Sequence, residues 1–209
     1  MLNLAEFTEI DSLLTAFMIF LCPVTWNVVS RLEFNTRIFS RIVGDKTIAA
    51  DIMAHIYIEM GIFRNFMFYY LVTHHQSFYV PESLVLPIKA FAAFLCVFGL
   101  IINLGVLYRL GIHGIYYADY FDILCPEKQT KWPYSQFEHP LYIGSTLIFI
   151  GDALINFSLI GLIYSAFAYF MYNIAGYLEA PYTNLIYSDE NKIRIKEERM
   201  LEKESSKEN

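Results

Sequence analysis

Residues 138–187 read EHPLYIGSTLIFIGDALINFSLIGLIYSAFAYFMYNIAGYLEAPYTNLIY, and this stretch decides the fold. Between Leu141 and Leu178 the only charged residue is Asp152. A single helix of that length, at about 1.5 Å per residue, would extend nearly twice the thickness of a hydrocarbon core of about 30 Å. The stretch therefore predicts two helices that fold back on each other at Asn156–Gly161.

The predicted hairpin brings its two polar ends to the same side of the membrane. Its first helix begins after Glu138 and His139, and its second helix ends at Glu179. Two antiparallel helices joined by a short turn begin and end at the same level. We therefore expect a site where these side chains meet.

The rest of the chain is also typical of a membrane protein. It has 209 residues, of which 56% are hydrophobic, and a net charge of −6. Ser12–Ser30 has no charged residue, and Leu84–Leu107 has only Lys89, which is typical of membrane-spanning helices. The alternating segments of a β-barrel are absent from the sequence. We predict an all-α, polytopic membrane helical bundle with three apolar spans plus a C-terminal helical hairpin, four to five membrane helices in total. This domain covers residues 1–187, and a charged tail follows at 188–209.

The second predicted span, Ile48–Val72, carries an unusual polar stripe. Asp51, His55 and Glu59 are four residues apart, so they share one face of a helix. Ionisable groups at membrane depth are expensive and normally face protein or water. Two carboxylates and one histidine leave a metal ion short of ligands, so we predict no metal site. We expect the stripe to face another helix or another membrane protein.

Other sequence features exclude several classes of function. The sequence has no basic patch that would indicate a nucleic-acid partner. Cys22, Cys96 and Cys125 lack metal or redox spacing and are predicted to be free thiols. No cleavable signal or transit peptide is recognised at the start of the sequence. The alternating charges of 188–209 predict a solvated helix, a tail or a docking segment. Protein partners are therefore expected at the second span and the tail, in a mitochondrial inner membrane or the endoplasmic reticulum.

Four segments of the chain carry a family resemblance. In order, they are CPVTWNVVSRLEFNTRIFSRIVG at 22–44, LGIHGIYYADYFDIL at 110–124, HPLYIGST at 139–146 and YLEAPYTNLIY at 177–187. Their residues and spacing resemble those of the phosphatidylethanolamine N-methyltransferase family of phospholipid methyltransferases. The resemblance implies methyl transfer from S-adenosylmethionine to phosphatidylethanolamine or its methylated forms. Membrane phosphatidylethanolamine would then be the lipid partner.

The resemblance also implies a binding site for the methyl donor. Gly99 and Glu179 match the family's two donor motifs and would contact S-adenosylmethionine. Tyr142 and Gly144 would shape the wall of the same pocket. Glycine allows the backbone to approach a ligand closely because it has no Cβ. A carboxylate can bind the donor's amino group or balance its positive sulfonium.

The resemblance assigns the acceptor and the proton transfer to other residues. Asp119 and Tyr120 would face the lipid head group. His139 or Glu179 would take the proton from the ethanolamine ammonium, since only a neutral amine attacks the sulfonium methyl. Two simpler interpretations stay open at this stage. His139 and Pro140 also fit an ordinary helix start, and Glu179 also fits an interfacial residue beside a helix end.

Both donor motifs are incomplete in this chain. The family's Gly-x-Gly falls on Val97-Phe98-Gly99, and its Glu-Glu pair falls on Glu179-Ala180. A valine side chain would obstruct close approach of the donor. Alanine cannot replace a charge-assisted hydrogen bond of about 1.5–3 kcal/mol. These changes favour weakened or lost catalysis.

Two further family glycines are Ala118 and Asp122 in this chain. Together with the polar stripe of the second span, they favour an alternative function. In that alternative the chain is a non-catalytic structural accessory subunit of a large mitochondrial inner-membrane complex, and it needs no cofactor. Partner proteins would then surround the polar residues that lipid would not.

Overall fold

The computed structural model describes residues 7–75, 78–125 and 129–205. In these ranges the chain forms seven α-helices and a 3₁₀ turn and has no β-strand, which confirms the all-α prediction. The helices are α1 (Ile10–Thr36), α2 (Ile38–Val43), α3 (Lys46–His74), α4 (Glu82–Ile115), α5 (Pro140–Ile155), α6 (Leu159–Ile186) and α7 (Asp189–Ser205), with the 3₁₀ turn Ala118–Phe121 after α4. The last four residues of the predicted tail, 206–209, lie outside the described residues.

Three of the described helices, α1, α4 and α6, are long and apolar enough to cross a membrane. The chain is thus an integral membrane protein, as predicted. Helix α3 contains the second predicted span but is not one of these three described helices. Helix α5 has 16 residues, which corresponds to about 24 Å and falls short of a full crossing.

The C-terminal hairpin turns where the sequence predicts it. Helix α5 ends at Ile155, and α6 begins at Leu159. Ser158 caps α6 by accepting a hydrogen bond from the Gly161 amide at 3.2 Å. Pro140 occupies the first turn of α5, where its missing N–H costs nothing. The start of α5 and the end of α6 therefore lie at the same end of the bundle.

Helices α4 and α5 approach closely through small residues. A methyl group added at Gly99 would clash with the carbonyl oxygen of Gly144, and one added at Gly144 would clash with Gly99 and Asn103. Gly151, two turns further along α5, meets Cys96 in the same way. Small residues allow membrane helices to pack backbone against backbone. This contact fixes where the first turn of α5 lies.

The tail helix α7 docks on the turn that follows α4. The Asp122 side chain is buried and forms ion pairs with Arg37 at 2.7 Å and Arg194 at 2.9 Å. Arg199 donates a hydrogen bond to the Asp122 carbonyl oxygen at 2.9 Å. Asp122 therefore links α7, the end of α1 and the 3₁₀ turn. The domain division at residue 187 stays a prediction.

Candidate active site

A cavity of about 380 Å³ lies where the two polar ends of the hairpin meet. Its walls come from the last turns of α4, the 3₁₀ turn, the loop before α5, the start of α5 and the end of α6, with one residue from α1. The aromatic residues of its lining are Trp26, Tyr116, Tyr117, Tyr120, Tyr134, Tyr142 and Tyr187. Its carboxylates are Asp119, Glu138 and Glu179. The volume is typical of small-molecule sites, and this mixture of rings and carboxylates suits a cationic ligand.

Glu179 is the centre of a polar cluster in this cavity. Its Oε1 accepts hydrogen bonds from the hydroxyls of Tyr117 and Tyr142. The amide nitrogen of Asn27, a buried residue of α1, donates to the same oxygen at 3.4 Å. The ring of Tyr142 stacks on Tyr172 with centroids 4.8 Å apart. Glu179 is therefore a well-supported carboxylate inside the protein.

Tyr117 reaches Glu179 through an unusual backbone conformation. Its φ angle is +64°, in the left-handed region that side-chain-bearing residues seldom adopt. Edge contacts with Tyr57 and Tyr120 hold its ring, at centroid distances of 6.0 and 5.5 Å. Its hydroxyl lies 3.1 Å from that of Tyr142. Strained residues of this kind often occur at functional sites.

Asp119 and Tyr120 line the cavity from the 3₁₀ turn. Tyr120 is 3% exposed, and its ring stacks on Tyr182 with centroids 6.0 Å apart. Arg31 lies over the other partner of that stack, with its guanidinium carbon 4.5 Å from the Tyr182 ring centroid. It also donates a hydrogen bond to the Leu178 carbonyl oxygen. The turn thus places an acid and an aromatic ring on the cavity wall, and Tyr182 separates that ring from Arg31.

His139 lines the same cavity and also precedes the first residue of α5. Its imidazole packs against Gly176 of α6, where a methyl group would clash with the ring. The ring centroid lies 6.0 Å from that of Tyr142. The helix start and a position in the cavity are therefore compatible for this residue.

The structure does not bring all the predicted donor residues together. Tyr142 and Glu179 line the cavity, whereas Gly99 and Gly144 lie at the contact between α4 and α5, outside its lining. Val97 is 56% exposed on the outer face of α4. Ala180 lies in the cavity wall. Of the two changed motif positions, only the alanine therefore faces the cavity.

The polar stripe of the second span lies on the outer face of α3. Asp51 accepts a hydrogen bond from His113 of α4, with 2.7 Å between Oδ1 and Nε2. Their side chains remain 47% and 54% exposed. His55 and Glu59 are also exposed and border a shallow groove with neighbouring isoleucines. The stripe is separate from the Glu179 cavity.

One group of described residues has its possible ligand atoms close enough for a metal ion. Glu9, Asp11 and His75 each offer one such atom, and all three atoms lie within 4.8 Å of one another. The His75 Nε2 lies 3.0 Å from an Asp11 oxygen, and this contact joins the start of α1 to the end of α3. The group is at the opposite end of these helices from the cavity.

Sequence reasoning missed several cavity residues. Trp26 and Asn27 stand in the first family segment, which was used only for the resemblance. Tyr134 lies in the long loop before α5, and Tyr117 stands two residues before Asp119. Burial raises the pKa of the Tyr134 phenol and also raises the pKa of the nearby Cys125 thiol. The sequence signal for Trp26 and Asn27 is their position in the first family segment, 22–44.

Comparison with known proteins gives a consistent result. The family model described as phospholipid methyltransferase matches residues 88–190. The chain is 33% identical to phosphatidylethanolamine N-methyltransferase A of Dictyostelium discoideum, over 90% of this chain and 87% of that protein. It is 34% identical to phosphatidyl-N-methylethanolamine N-methyltransferase of Saccharomyces cerevisiae, over 82% of each. It is 30% identical to phosphatidylethanolamine N-methyltransferase of Rattus norvegicus, over 90% and 93%. No solved structure matches the chain significantly.

Proposed function

Because the chain belongs to the phospholipid methyltransferase family, we propose that it transfers a methyl group from S-adenosylmethionine to the amine of phosphatidylethanolamine or its N-methylated forms. The reaction takes place in the cavity around Glu179. The observation that carries the proposal is the support of this carboxylate by Tyr117, Tyr142 and Asn27. A non-catalytic protein would not need a carboxylate that three side chains stabilise in a cavity.

The cavity fits S-adenosylmethionine on two counts. The donor is a cation, and the cavity wall combines carboxylates with aromatic rings. The donor also has hydrogen-bonding ends, and the indole nitrogen of Trp26 is a buried donor with no partner among the described residues. Residues that would hold the donor are Glu179, Tyr142 and Trp26. When bound, it supplies an electrophilic methyl group on a sulfonium.

The protein's own contribution is alignment and proton transfer. Asp119 and Tyr120 hold the head-group ammonium on the side of the cavity formed by the 3₁₀ turn. His139 or Glu179 accepts the proton that the ammonium must lose before its nitrogen can attack. The aromatic lining excludes water and holds the amine in line with the methyl carbon, since most of the rate gain of such a displacement comes from positioning.

The two changed donor motifs do not weigh equally in this proposal. Val97 points away from the cavity, so its side chain leaves the Glu179 cluster undisturbed. Ala180 lies in the wall beside Glu179 and removes one carboxylate that the family has there. We therefore expect weaker donor binding than in relatives that carry both glutamates. Gly99 and Gly144 would affect the site only through the position of α5.

The test is methyl transfer by the purified chain in lipid nanodiscs that contain phosphatidylethanolamine. Labelled methyl in extracted lipids is measured for the wild type, Glu179→Gln and Ala180→Glu. We expect Glu179→Gln to lower kcat/KM by about 10- to 100-fold, because a charged partner is lost. Ala180→Glu should lower the KM for the donor. Glu190→Gln on the exposed start of α7 is the matched control. Absence of methyl transfer in both the wild type and Ala180→Glu would contradict the proposal.

A second candidate function rests on the exposed stripe of α3. Asp51, His55 and Glu59 border a shallow groove on the outer face of α3, and lipid disfavours ionisable groups of this kind. In this candidate the chain is an accessory subunit of a large mitochondrial inner-membrane complex and meets its protein partners through α3 and the tail. Native electrophoresis of solubilised membranes distinguishes the two. A catalytic chain of this size, in the endoplasmic reticulum for example, migrates alone, whereas a subunit migrates with a large assembly.

A further inference from the structure

Trp26 lines the cavity and carries a buried hydrogen-bond donor. It is the cavity's wall residue from α1, and its Nε1 has no hydrogen-bond partner among the described residues. A buried N–H group without an acceptor is costly, and nearly all such groups in folded proteins are paired. An indole nitrogen can only donate. A ligand group that meets it must therefore be an acceptor.

The charge behind Trp26 indicates that this acceptor is anionic. Arg64 of α3 is 6% exposed, and its guanidinium carbon lies 5.8 Å from the Trp26 ring centroid. Arg64 donates hydrogen bonds to Tyr172 and Asn65 and forms no ion pair within the described part of the chain. A buried cation without a counter-ion favours negative charge nearby.

Asn27, the residue after Trp26, contacts the carboxylate of Glu179. Asn27 donates its amide hydrogens to Glu179 at 3.4 Å and to the Pro23 carbonyl oxygen at 3.1 Å. Because Trp26 and Asn27 are adjacent, a donor for an anion and a carboxylate for a cation lie close together. An α-amino acid has this pattern, with a carboxylate and an ammonium on the same carbon.

We propose that Trp26 and Glu179 form the subsite for the α-amino-acid end of the methyl donor. The indole N–H donates to the donor's carboxylate, and Glu179 accepts from its ammonium. Asn27 is a positioning residue, which acts through Glu179. This assignment rests on the proposed function, since it divides the same cavity.

The first experiment needs no mutation. Isothermal titration calorimetry in nanodiscs compares S-adenosylhomocysteine, its decarboxylated analogue and 5′-methylthioadenosine, which lacks both charged groups. We expect the wild type to bind the decarboxylated analogue about 10- to 100-fold more weakly than S-adenosylhomocysteine, because one charge-assisted hydrogen bond is lost. Equal affinity for these two ligands would overturn the assignment.

The second experiment locates the effect. Trp26→Phe removes the N–H and keeps a ring against Arg64. This variant should therefore lose the 10- to 100-fold preference for S-adenosylhomocysteine over its decarboxylated analogue. Its affinity for 5′-methylthioadenosine should be unchanged. Asn27→Ala should weaken S-adenosylhomocysteine and its decarboxylated analogue equally, because both keep the amine. Trp132→Phe is the matched control, since Trp132 packs on Gly105 outside the cavity. Unchanged binding of 5′-methylthioadenosine reports an intact fold in every variant.

The outcomes separate the two proposals. If the wild type binds neither S-adenosylhomocysteine nor 5′-methylthioadenosine, the proposed function is overturned. If the wild type binds both and Trp26→Phe keeps the full preference for S-adenosylhomocysteine, only the subsite is overturned. The subsite is also overturned if Trp26→Phe instead weakens competition by glycerophosphoethanolamine, since the anion at Trp26 is then the lipid phosphate.

Discussion

Glu179 and Glu59 are the same residue type on two helices of one bundle, and their surroundings are opposite. Glu179 lies inside, where Tyr117, Tyr142 and Asn27 all donate to one of its oxygens. Glu59 lies on the outer face of α3 and makes no hydrogen bond or ion pair with the described residues. The chain itself stabilises the first carboxylate, whereas the second depends on what surrounds the protein. The contrast separates an internal chemical site from a surface that meets partners.

The largest effect should come from breaking the internal cluster. Replacing both Tyr117 and Tyr142 by Phe removes two hydroxyl donors and leaves the Glu179 carboxylate without most of its support. We expect methyl transfer to fall by about two orders of magnitude, since each charge-assisted bond contributes about 1.5–3 kcal/mol and the two are not additive. The initial rate of lipid methylation measures this.

The matched control for that double variant is Tyr69→Phe with Tyr177→Phe, which removes two hydroxyls from exposed positions. This pair should keep the wild-type rate. A double cavity variant that also stays within twofold of the wild type would show that Glu179 does not depend on the two phenols.

Asp122 is a second internal carboxylate, and its replacement tests whether ion pairs to a buried carboxylate stabilise the fold. Asp122→Asn removes the charge that pairs with Arg37 and Arg194. Breaking a buried pair costs about 3–5 kcal/mol, and we expect about 2 kcal/mol in the free energy of unfolding because both arginines are partly exposed. Thermal unfolding in nanodiscs gives the value, and Asp189→Asn at an exposed position is the control. Faster hydrogen exchange in α7 should accompany the loss, and unchanged exchange would refute the docking.

The outer carboxylate should respond in the opposite direction. Glu59→Leu replaces an exposed charge on a membrane helix by a lipid-compatible side chain, and we expect the free energy of unfolding in nanodiscs to rise by about 1 kcal/mol. Glu190→Leu on the water-exposed tail helix should give no such gain. A loss of stability in Glu59→Leu would mean that this glutamate has a partner within the chain.

The smallest expected effect is a change in cysteine reactivity, which compares the cavity with the outer face of α3. Cys125 lines the cavity, and burial raises the pKa of its thiol above the ordinary value of 9.0. Only the thiolate reacts with maleimide, so the raised pKa lowers the thiolate fraction at neutral pH and the rate should increase as pH rises. S-adenosylhomocysteine should slow modification of Cys125 a few-fold, as measured by peptide mass spectrometry. Modification of a Glu59→Cys variant on the outer face should not respond to the ligand, and protection at both positions would indicate a general effect on the membrane.

Much of the fold was predictable because it follows from the arrangement of charge along the chain. The charge-free run from Leu141 to Leu178 exceeds one crossing, so a turn was required, and the structure places it within Asn156–Gly161. That turn also explains why His139 and Glu179 line one cavity. The membrane bundle is confirmed on the same basis, whereas the family assignment follows from the four motif segments and is confirmed by the relatives.

The remainder of the site depends on backbone conformation and on helix rotation, which the spacing of apolar and charged residues does not predict. Tyr117 reaches Glu179 only because its backbone is left-handed, and no sequence rule assigns that conformation to a tyrosine. Trp26 lines the cavity because of how α1 is rotated about its own axis. A glycine against a ligand and a glycine against a helix look alike in sequence, so donor contacts for Gly99 and Gly144 stay predictions while the structure places both at the α4–α5 contact.

The docking of α7 on Asp122 also has a consequence for biosynthesis. A chain is made from its N-terminus, so Arg194 and Arg199 leave the ribosome after the described helices α1 to α6. The turn that carries Asp119 and Tyr120 receives its last two arginine anchors only then. In newly inserted chains this turn therefore lacks its contacts with α7 until translation of α7 is complete. A bulky fusion placed directly after Ile186 would keep the turn without these contacts.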